Sequence, residues 1–231
     1  MQPYIFPYLG YFQLINAVDK FVIYDDVGFI KQGWINRNYI AAEGRALLFT
    51  VPLEQASSGK LINETKLDPR SYRLWQNKFL QTLHQNYKKA PFFDSIFPPL
   101  KQIFETERSK LTDLLVDSLL FVSNYLSLQT QFVTSSVIYK NKDLKGQDRI
   151  LDICKKEQAT EYYNLMGGQD LYSKSDFLKS SVVLNFIRSN QELEYSQGKI
   201  KNFIPRLSII DVLMYNSKEK VRFYLDNYET A

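Results

Sequence analysis

The spacing of apolar and polar residues changes along the chain and predicts where helices and strands lie. The first 26 residues combine a short apolar run over residues 4–6, a helical period over residues 11–18 and a second apolar run over residues 21–24. This order predicts a β-α-β unit. Because a short helix joins the two strands, we expect them to be parallel neighbours.

Beyond this unit the period changes twice. Residues from Trp34 to Leu53 alternate around a turn at Glu43-Gly44, which predicts a β-hairpin. Residues 71–126 carry helical spacing in three predicted helices, one of them beginning near Pro99, and we interpret them as a helical insert beside the sheet. After residue 131 strands and helices alternate again, and two predicted helices close the chain.

Together these elements predict the fold class. We expect an α/β protein with a mostly parallel sheet of Rossmann-like type, a β-hairpin elaboration and a helical insert. The chain carries no repeat, low-complexity tract or linker, so residues 1–231 are expected to form a single domain with residues 71–126 as its helical insert.

The composition is that of a folded protein, and it favours an anionic ligand over nucleic-acid binding. The 231 residues are 45% hydrophobic and 23% charged, with 29 Lys and Arg against 25 Asp and Glu for a net charge of +4. The basic residues are spread along the chain, and a nucleic-acid-binding protein would concentrate them in a stripe. Aromatic residues reach 15%, and tyrosines can combine ring packing with hydrogen bonding.

The cysteine and histidine counts exclude several kinds of chemistry. Cys154 is the single cysteine and His84 the single histidine. An intrachain disulfide and a zinc site built from several such residues are therefore excluded, and we expect no metal site. His84 lies within a helical period and is interpreted as a helix-surface residue, so acid-base chemistry is expected to fall to Asp, Glu, Lys or Tyr.

The chain also lacks the patterns of membrane and secreted proteins. No stretch approaches the roughly 20 consecutive apolar residues of a membrane helix. The first residues have neither the basic start nor the small-residue cleavage site of a secretory signal. We expect a cytoplasmic protein without a membrane span.

Four segments place polar groups at the carboxyl ends of predicted parallel strands, where open α/β sheets bind ligands. The first runs from Gln2 to Tyr11, and its candidate binding residues are Gln2 and Tyr8. Gly10 permits a tight entry into the helix, whose first amides could bind a phosphate or carboxylate. The alternative is an aromatic turn packed for stability.

The second segment contains the adjacent carboxylates Asp25 and Asp26. They are the candidate catalytic residues, because an acid at a strand end can accept a proton from a nucleophile, bind a ribose hydroxyl or hold Mg²⁺. Neighbouring residues of a strand point to opposite faces, so one of the two is expected to be structural. The alternative is that they cap the following turn.

The third segment lies at the start of the predicted hairpin. Trp34 and Asn36 share one face and could stack on and hydrogen-bond to a sugar or base, while Lys31 and Arg37 could bind phosphate. Alternation puts Arg37 opposite Asn36, so both reach one cleft only if the hairpin twists or bulges. The alternative is a solvated hairpin with Trp34 covering the sheet.

The fourth segment follows a predicted strand at residues 161–164. Gly167 and Gly168 would let a ligand approach the backbone, and Asp170 and Tyr172 would lie at the mouth of the next helix. A Gly-Gly pair alone is a weak signal, and an ordinary β-α turn is the alternative.

Taken together and in this order, the four segments resemble the WbqC-like protein family of bacteria, which is associated with surface-polysaccharide gene clusters. The resemblance extends over essentially the whole chain and includes a block from Pro205 to Asp211. The chain departs from the pattern at residues 164–168, where many members read Ser-Gly-Pro-Gly.

The resemblance implies a glycine or aminoacyl transferase that adds an amino acid to the amino group of a nucleotide-linked amino sugar. The expected partners are a sugar nucleotide and an acyl donor. The alternative is a non-catalytic protein that binds the sugar nucleotide or a partner enzyme. The cofactor, the sugar, the acyl donor and the oligomeric state are not predicted.

The same reasoning predicts one shared site. The ends of the strands near Phe6 and Tyr24, the hairpin face and the Gly167-Gly168 turn are expected to meet in one cleft at the carboxyl edge of the sheet. The expected lining residues include Gln2, Asp25, Asn36, Arg37 and Asp170.

Overall fold

Helices and strands alternate along much of the chain. The computed structural model describes residues 1–189, 194–198, 200 and 202–231. The α-helices are α1 (Leu9–Asn16), α2 (Pro69–Tyr87), α3 (Phe93–Glu105), α4 (Leu111–Tyr125), α5 (Gly146–Lys156), α6 (Lys174–Lys179), α7 (Ile209–Tyr215) and α8 (Lys218–Leu225). The strands are β1 (Lys20–Val22), β2 (Arg37–Ala42), β3 (Arg45–Thr50), β4 (Leu53–Glu54), β5 (Lys66–Leu67), β6 (Gln131–Val133), β7 (Glu161–Leu165), β8 (Val183–Ser189) and β9 (Tyr228–Thr230). Short 3₁₀ helices cover Ile62–Glu64, Ser136–Tyr139 and Met166–Leu171.

The strands of the described residues are divided among four small sheets. β1 and β6 pair in parallel, as do β7 and β8, and β9 adds an antiparallel edge to β8. β2 and β3 form the predicted hairpin, and β4 pairs with β5. The mixed α/β class is therefore confirmed. A single Rossmann-like sheet is not present in this part of the chain, since parallel pairing is confined to two separate pairs.

The expected strand at residues 4–6 is not formed, and that prediction is wrong. Phe6 has a φ of +40°, which is outside the extended region that a strand requires. Pro3 and Pro7 also lack the amide hydrogen that a strand donates to its neighbour. Met1 pairs with the end of β1 instead, because its amino group donates to the Val22 carbonyl at 2.8 Å and its carbonyl accepts from the Tyr24 amide at 2.9 Å.

The segment around Phe6 is held by hydrogen bonds to its carbonyl groups. Asn38 donates from Nδ2 to the carbonyls of Phe6 at 2.7 Å and Ile5 at 3.3 Å. Ser208 also donates to the Phe6 carbonyl at 2.7 Å, and the Ile209 amide donates to the Pro7 carbonyl at 3.0 Å. The beginning of the chain, the hairpin and the residues before α7 are thereby joined.

The predicted helical segment is confirmed as α2, α3 and α4. α2 begins after Asp68, whose carboxylate accepts the amides of Arg70 and Ser71 at 3.0 and 2.8 Å. α3 begins at Phe93 and not near Pro99 as expected, and it accommodates both Pro98 and Pro99 internally. The organisation as one domain with this segment as an insert stays a prediction.

Two groups of buried side chains make up the core. The larger group joins α1 and the first segment to α2–α4 and α7, and the rings of Phe6 and Phe104 lie 5.5 Å apart within it. The smaller group lies between α5, α6 and the β7–β8 pair and contains Cys154 and Phe177. β9, which the sequence pattern did not predict, completes the sheet beside β8.

Removing the Asn38 side chain tests the hydrogen bonds around Phe6. Asn38 is 7% exposed, so Asn38→Ala leaves buried carbonyl groups without one of their donors. We expect a loss of about 1–3 kcal/mol in the free energy of unfolding, measured by urea denaturation. Asn16→Ala removes an exposed hydrogen bond to Asp226 and should cost less than about 0.5 kcal/mol. Equal losses in the two variants would contradict this interpretation.

Candidate functional site

A cavity of about 680 Å³ lies where the carboxyl ends of β7 and β8 meet the start of α1. Its volume falls in the range of small-molecule sites. The hairpin and the residues before α7 supply the remaining walls. The lining residues are Tyr4, Pro7, Tyr8, Gly10, Gln13, Trp34, Asn38, Tyr39, Ala46, Leu165, Met166, Gly167, Ile187, Arg188, Ser189, Pro205, Arg206 and Leu207. We call this the aromatic cavity, after its tyrosine and tryptophan walls.

Trp34 forms one partly open wall of the aromatic cavity. It is 47% exposed and its ring lies 5.8 Å from that of Tyr39. The Arg37 guanidinium lies 5.6 Å from the Trp34 ring centre and donates to the carbonyls of Gly33, at 3.0 Å, and Gln32. Arg37 thus supports Trp34 within the protein, and the indole ring is placed to contact a ligand.

Tyr8 forms a second wall because Gly10 leaves space for its ring. A Cβ atom at Gly10 would lie 2.6 Å from Tyr8 Cε2, which is closer than van der Waals contact. Burial raises the pKa of the Tyr8 hydroxyl, Tyr4 adds to the rise and the charge of Arg206 opposes it. The Tyr8 hydroxyl is protonated at neutral pH, as in ordinary tyrosines, and can donate a hydrogen bond.

The charge of the aromatic cavity is positive. Among the described residues its lining contains Arg188 and Arg206 and no aspartate or glutamate. Arg188 lies near the carboxyl end of β8, and Arg206 lies in the family-like block before α7. Sequence analysis did not select either arginine as a site residue. Arg188 directly follows the apolar run at residues 182–187, and this position was the signal that could have identified it.

The structure brings three of the predicted site residues into the aromatic cavity. They are Tyr8, Trp34 and Gly167. A Cβ atom at Gly167 would meet no protein atom within 4 Å, so this position is open towards the cavity. Three of the four sequence segments therefore contribute to one site. The second segment, with the two aspartates, does not line it.

The other predicted binding residues lie outside the described lining. The Gln2 carbonyl accepts the Tyr11 hydroxyl at 2.7 Å, and buried Asn36 donates to the Val51 carbonyl at 2.9 Å. Lys31 is exposed on the loop before the hairpin. Arg37 supports Trp34 from the protein side, as described above.

The residues after Gly167 turn away from the aromatic cavity. Gly168 lies against Asn164, since a Cβ atom there would be 2.8 Å from Asn164 Nδ2. Asp170 is exposed on the 3₁₀ helix. The Tyr172 ring packs edge-on against Phe177 and Tyr162, at 5.8 Å from each. The 3₁₀ helix turns the chain at this point, and its later side chains therefore point away from the cavity that Gly167 lines.

Asp25 and Asp26 lie in a separate buried polar network, and they are 2% and 3% exposed. The Asp25 carboxylate accepts from the Ser135 hydroxyl at 2.8 Å and from the Ser136 amide at 3.1 Å. Burial raises the pKa of the Asp25 carboxyl, and these hydrogen bonds partly offset the rise. The Ser136 hydroxyl donates to Asp26 as well.

Arg149 of α5 neutralises Asp26 inside this network. Its guanidinium forms a buried ion pair with the Asp26 carboxylate and donates to the Asn141 side-chain oxygen at 2.9 Å. The guanidinium also lies 4.9 Å from the centre of the Tyr24 ring. These contacts connect the end of β1 to α5 and to the loop after β6.

The described residues contain no helix suited to crossing a membrane. Within the same residues, no three His, Cys, Asp or Glu side chains are grouped as a metal site would require.

The mixed α/β fold therefore carries an aromatic, positively charged cavity as its candidate small-molecule site. Residues 2–223 match the WbqC-like protein family, and the chain belongs to that family. The uncharacterized protein Rv1507c of Mycobacterium tuberculosis is 30% identical over 209 residues, which cover 90% of this chain and 88% of the relative. No solved structure matches the chain. The resemblance inferred from the sequence motifs is confirmed.

Replacing Arg149 tests whether the buried network holds β1 and α5 together. In Arg149→Met the Asp26 carboxylate stays buried without its counter-ion, and we expect a loss of about 3–5 kcal/mol in the free energy of unfolding. The control Lys101→Met removes an ion pair whose side chains are 51% and 46% exposed, and it should cost less than about 1 kcal/mol. A cost for Arg149→Met as small as that of the control would overturn the structural role.

Proposed function

We propose that the protein is a transferase that adds an amino acid to the amino group of a nucleotide-linked amino sugar in surface-polysaccharide synthesis. The observation that carries the proposal is the aromatic cavity, in which three separate family-like segments meet two arginines. Rings on the wall suit a sugar or base, and positive charge suits its phosphates. The single cysteine suits a reducing compartment, and we propose that the protein acts in the cytoplasm.

The proposed reaction forms an amide bond. The lone pair of the sugar amine attacks the acyl carbonyl carbon of an activated amino acid, and the leaving group departs with the electrons of the broken bond. The proton lost by the amine balances the charge on the leaving group. A neutral amine is nucleophilic without a strong base. The cavity therefore has to bind the two substrates, orient them and exclude water.

Tyr8 is the side chain best placed to assist this step. Its hydroxyl is protonated at neutral pH, as in ordinary tyrosines, so it can donate a hydrogen bond to the oxygen that becomes negative in the transition state. Trp34 would bind a ring of the substrate, and the open position at Gly167 would let the ligand approach the backbone. These three roles use residues that line the same cavity.

The catalytic role of Asp25 and Asp26 stays a prediction. Their oxygens accept hydrogen bonds from Ser135, Ser136 and Arg149, and their low exposure supports a role in positioning β1 more than direct contact with substrate. If Asp25→Asn and Asp26→Asn fold, bind the sugar nucleotide and lose turnover, the role as a base is supported.

A non-catalytic binding protein of the same pathway is the second candidate. The observation that favours it is the absence of a carboxylate from the described lining of the aromatic cavity. It predicts binding of the sugar nucleotide without any transfer. A panel of activated amino acids with nucleotide-linked amino sugars distinguishes the two, because only the transferase produces an amide detectable by mass spectrometry.

Replacing one hydroxyl group tests the catalytic part of the proposal. Tyr8→Phe keeps the ring and removes the donor, so we expect turnover to fall about 100-fold or more while the Kd for the sugar nucleotide changes less than about threefold. The control Tyr163→Phe removes a hydroxyl that donates to Glu161 outside the aromatic cavity and should keep full turnover. Full activity of Tyr8→Phe would exclude Tyr8 as the donor.

A further inference from the structure

Arg188 and Arg206 both line the aromatic cavity, and within the described residues neither side chain has a hydrogen bond or an ion pair, although Glu229 lies opposite Arg188 on β9. Neither forms an ion pair with a described acid. By contrast, Arg108 and Arg149 are neutralised by carboxylates, and Arg222 donates to a backbone carbonyl. Like charges that line one cavity repel each other, and an anionic ligand removes this cost.

The start of α1 adds further donors to the same place. The N-cap Tyr8 accepts no amide through its side chain, and the first turn has no acidic residue. Within the described residues, the amides of Leu9 and Gly10 donate to no acceptor. Tyr8 and Gly10 both line the aromatic cavity. The first turn of α1 therefore borders the same space as the two arginines, and its amides carry the positive end of the helix dipole.

Arg206 is built into the structure in an unusual backbone conformation. Its φ is +57°, a value that residues other than glycine rarely adopt. The flanking residues are fixed, because the Ser208 amide donates to the Tyr39 carbonyl at 2.8 Å and the Ile204 amide donates to Gln197 at 2.8 Å. The backbone on both sides of Arg206 is therefore fixed by hydrogen bonds to other parts of the chain.

Asp211 stabilises this arrangement from behind. Its buried carboxylate accepts hydrogen bonds from Tyr87 and Tyr195 at 2.7 Å and from Gln197 at 3.0 Å. Gln197 in turn bonds both the amide and the carbonyl of Ile204. The backbone that leads to Arg206 is thus connected to the core before any ligand binds.

We infer that Arg188, Arg206 and the first amides of α1 form a binding site for the diphosphate group of the ligand. Each guanidinium can bind two phosphate oxygens at once, so two arginines match two linked phosphates. This inference deepens the proposed function and rests on it for the sugar nucleotide as the ligand. It predicts that affinity rises from nucleoside to monophosphate to diphosphate.

Titration calorimetry of the full chain with inorganic pyrophosphate, uridine, UMP and UDP tests the inference. We expect the wild-type protein to bind pyrophosphate, and UDP more tightly than UMP. Arg188→Gln and Arg206→Gln should each weaken binding of pyrophosphate and UDP about tenfold or more. Arg206→Lys keeps the charge but loses the paired geometry, so its affinity should lie between those of Arg206→Gln and the wild type.

Arg73→Gln is the matched control, since Arg73 is exposed on α2 outside the aromatic cavity. It should leave every Kd unchanged. Melting temperatures establish that each variant is folded before its affinity is compared. Equal weakening by Arg73→Gln and the cavity variants would indicate general charge attraction and overturn the diphosphate site.

The outcomes also separate this inference from the proposed function. If nucleotides bind but the cavity arginine variants keep wild-type affinity, the diphosphate site is wrong and the sugar-nucleotide proposal stands. If pyrophosphate binding depends on both arginines but UDP binds no better than pyrophosphate, the diphosphate site stands and the proposal of a nucleotide-linked substrate fails. Failure of pyrophosphate to bind the wild-type protein overturns the inference.

Discussion

The hydrogen bonds that hold the carbonyl groups of residues 5–7 are the constraint on which the site depends. Asn38 comes from the hairpin, and Ser208 and Ile209 come from the end of the chain. An isolated segment with two prolines and a left-handed phenylalanine has no reason to hold this shape. Once its carbonyls are bound, α1 begins at a defined place, Tyr8 is directed into the aromatic cavity and Arg206 is brought to the same space.

The buried network around Asp26 and Arg149 plays a corresponding part for β1, α5 and the loop after β6. It connects β1, α5 and the loop after β6, where the parallel pairs are short and bury little surface on their own. A buried ion pair contributes more to a unique arrangement than to net stability, because burying the charges offsets much of their attraction. The same residues that suggest acid-base chemistry in the sequence can therefore serve as an internal connection.

The aromatic cavity combines features that sequence segments carry separately. Its place at the carboxyl ends of β7 and β8 follows the general rule for parallel strands, although the sheet is small. Aromatic walls supply apolar surface for a ring, while the arginines and the helix start supply positive charge. The combination of aromatic walls and positive charge favours a ligand that has both a ring and phosphates over a purely apolar or purely anionic ligand.

Hydrophobic periodicity and turn residues were sufficient to predict the hairpin, the helices of residues 69–125 and the strands β6 to β8, because these elements depend on local spacing. The family could be predicted because it depends on sequence motifs. Tyr8, Trp34 and Gly167 could be selected for the same reason. Local patterns could not reveal that the strand at residues 4–6 is replaced by a held turn, that Asp25 and Asp26 turn inwards to Ser136 and Arg149, or that Arg188 and Arg206 share one cavity. The contacts of the aspartates and of the turn join residues more than 100 positions apart. Only the tertiary structure brings such residues together.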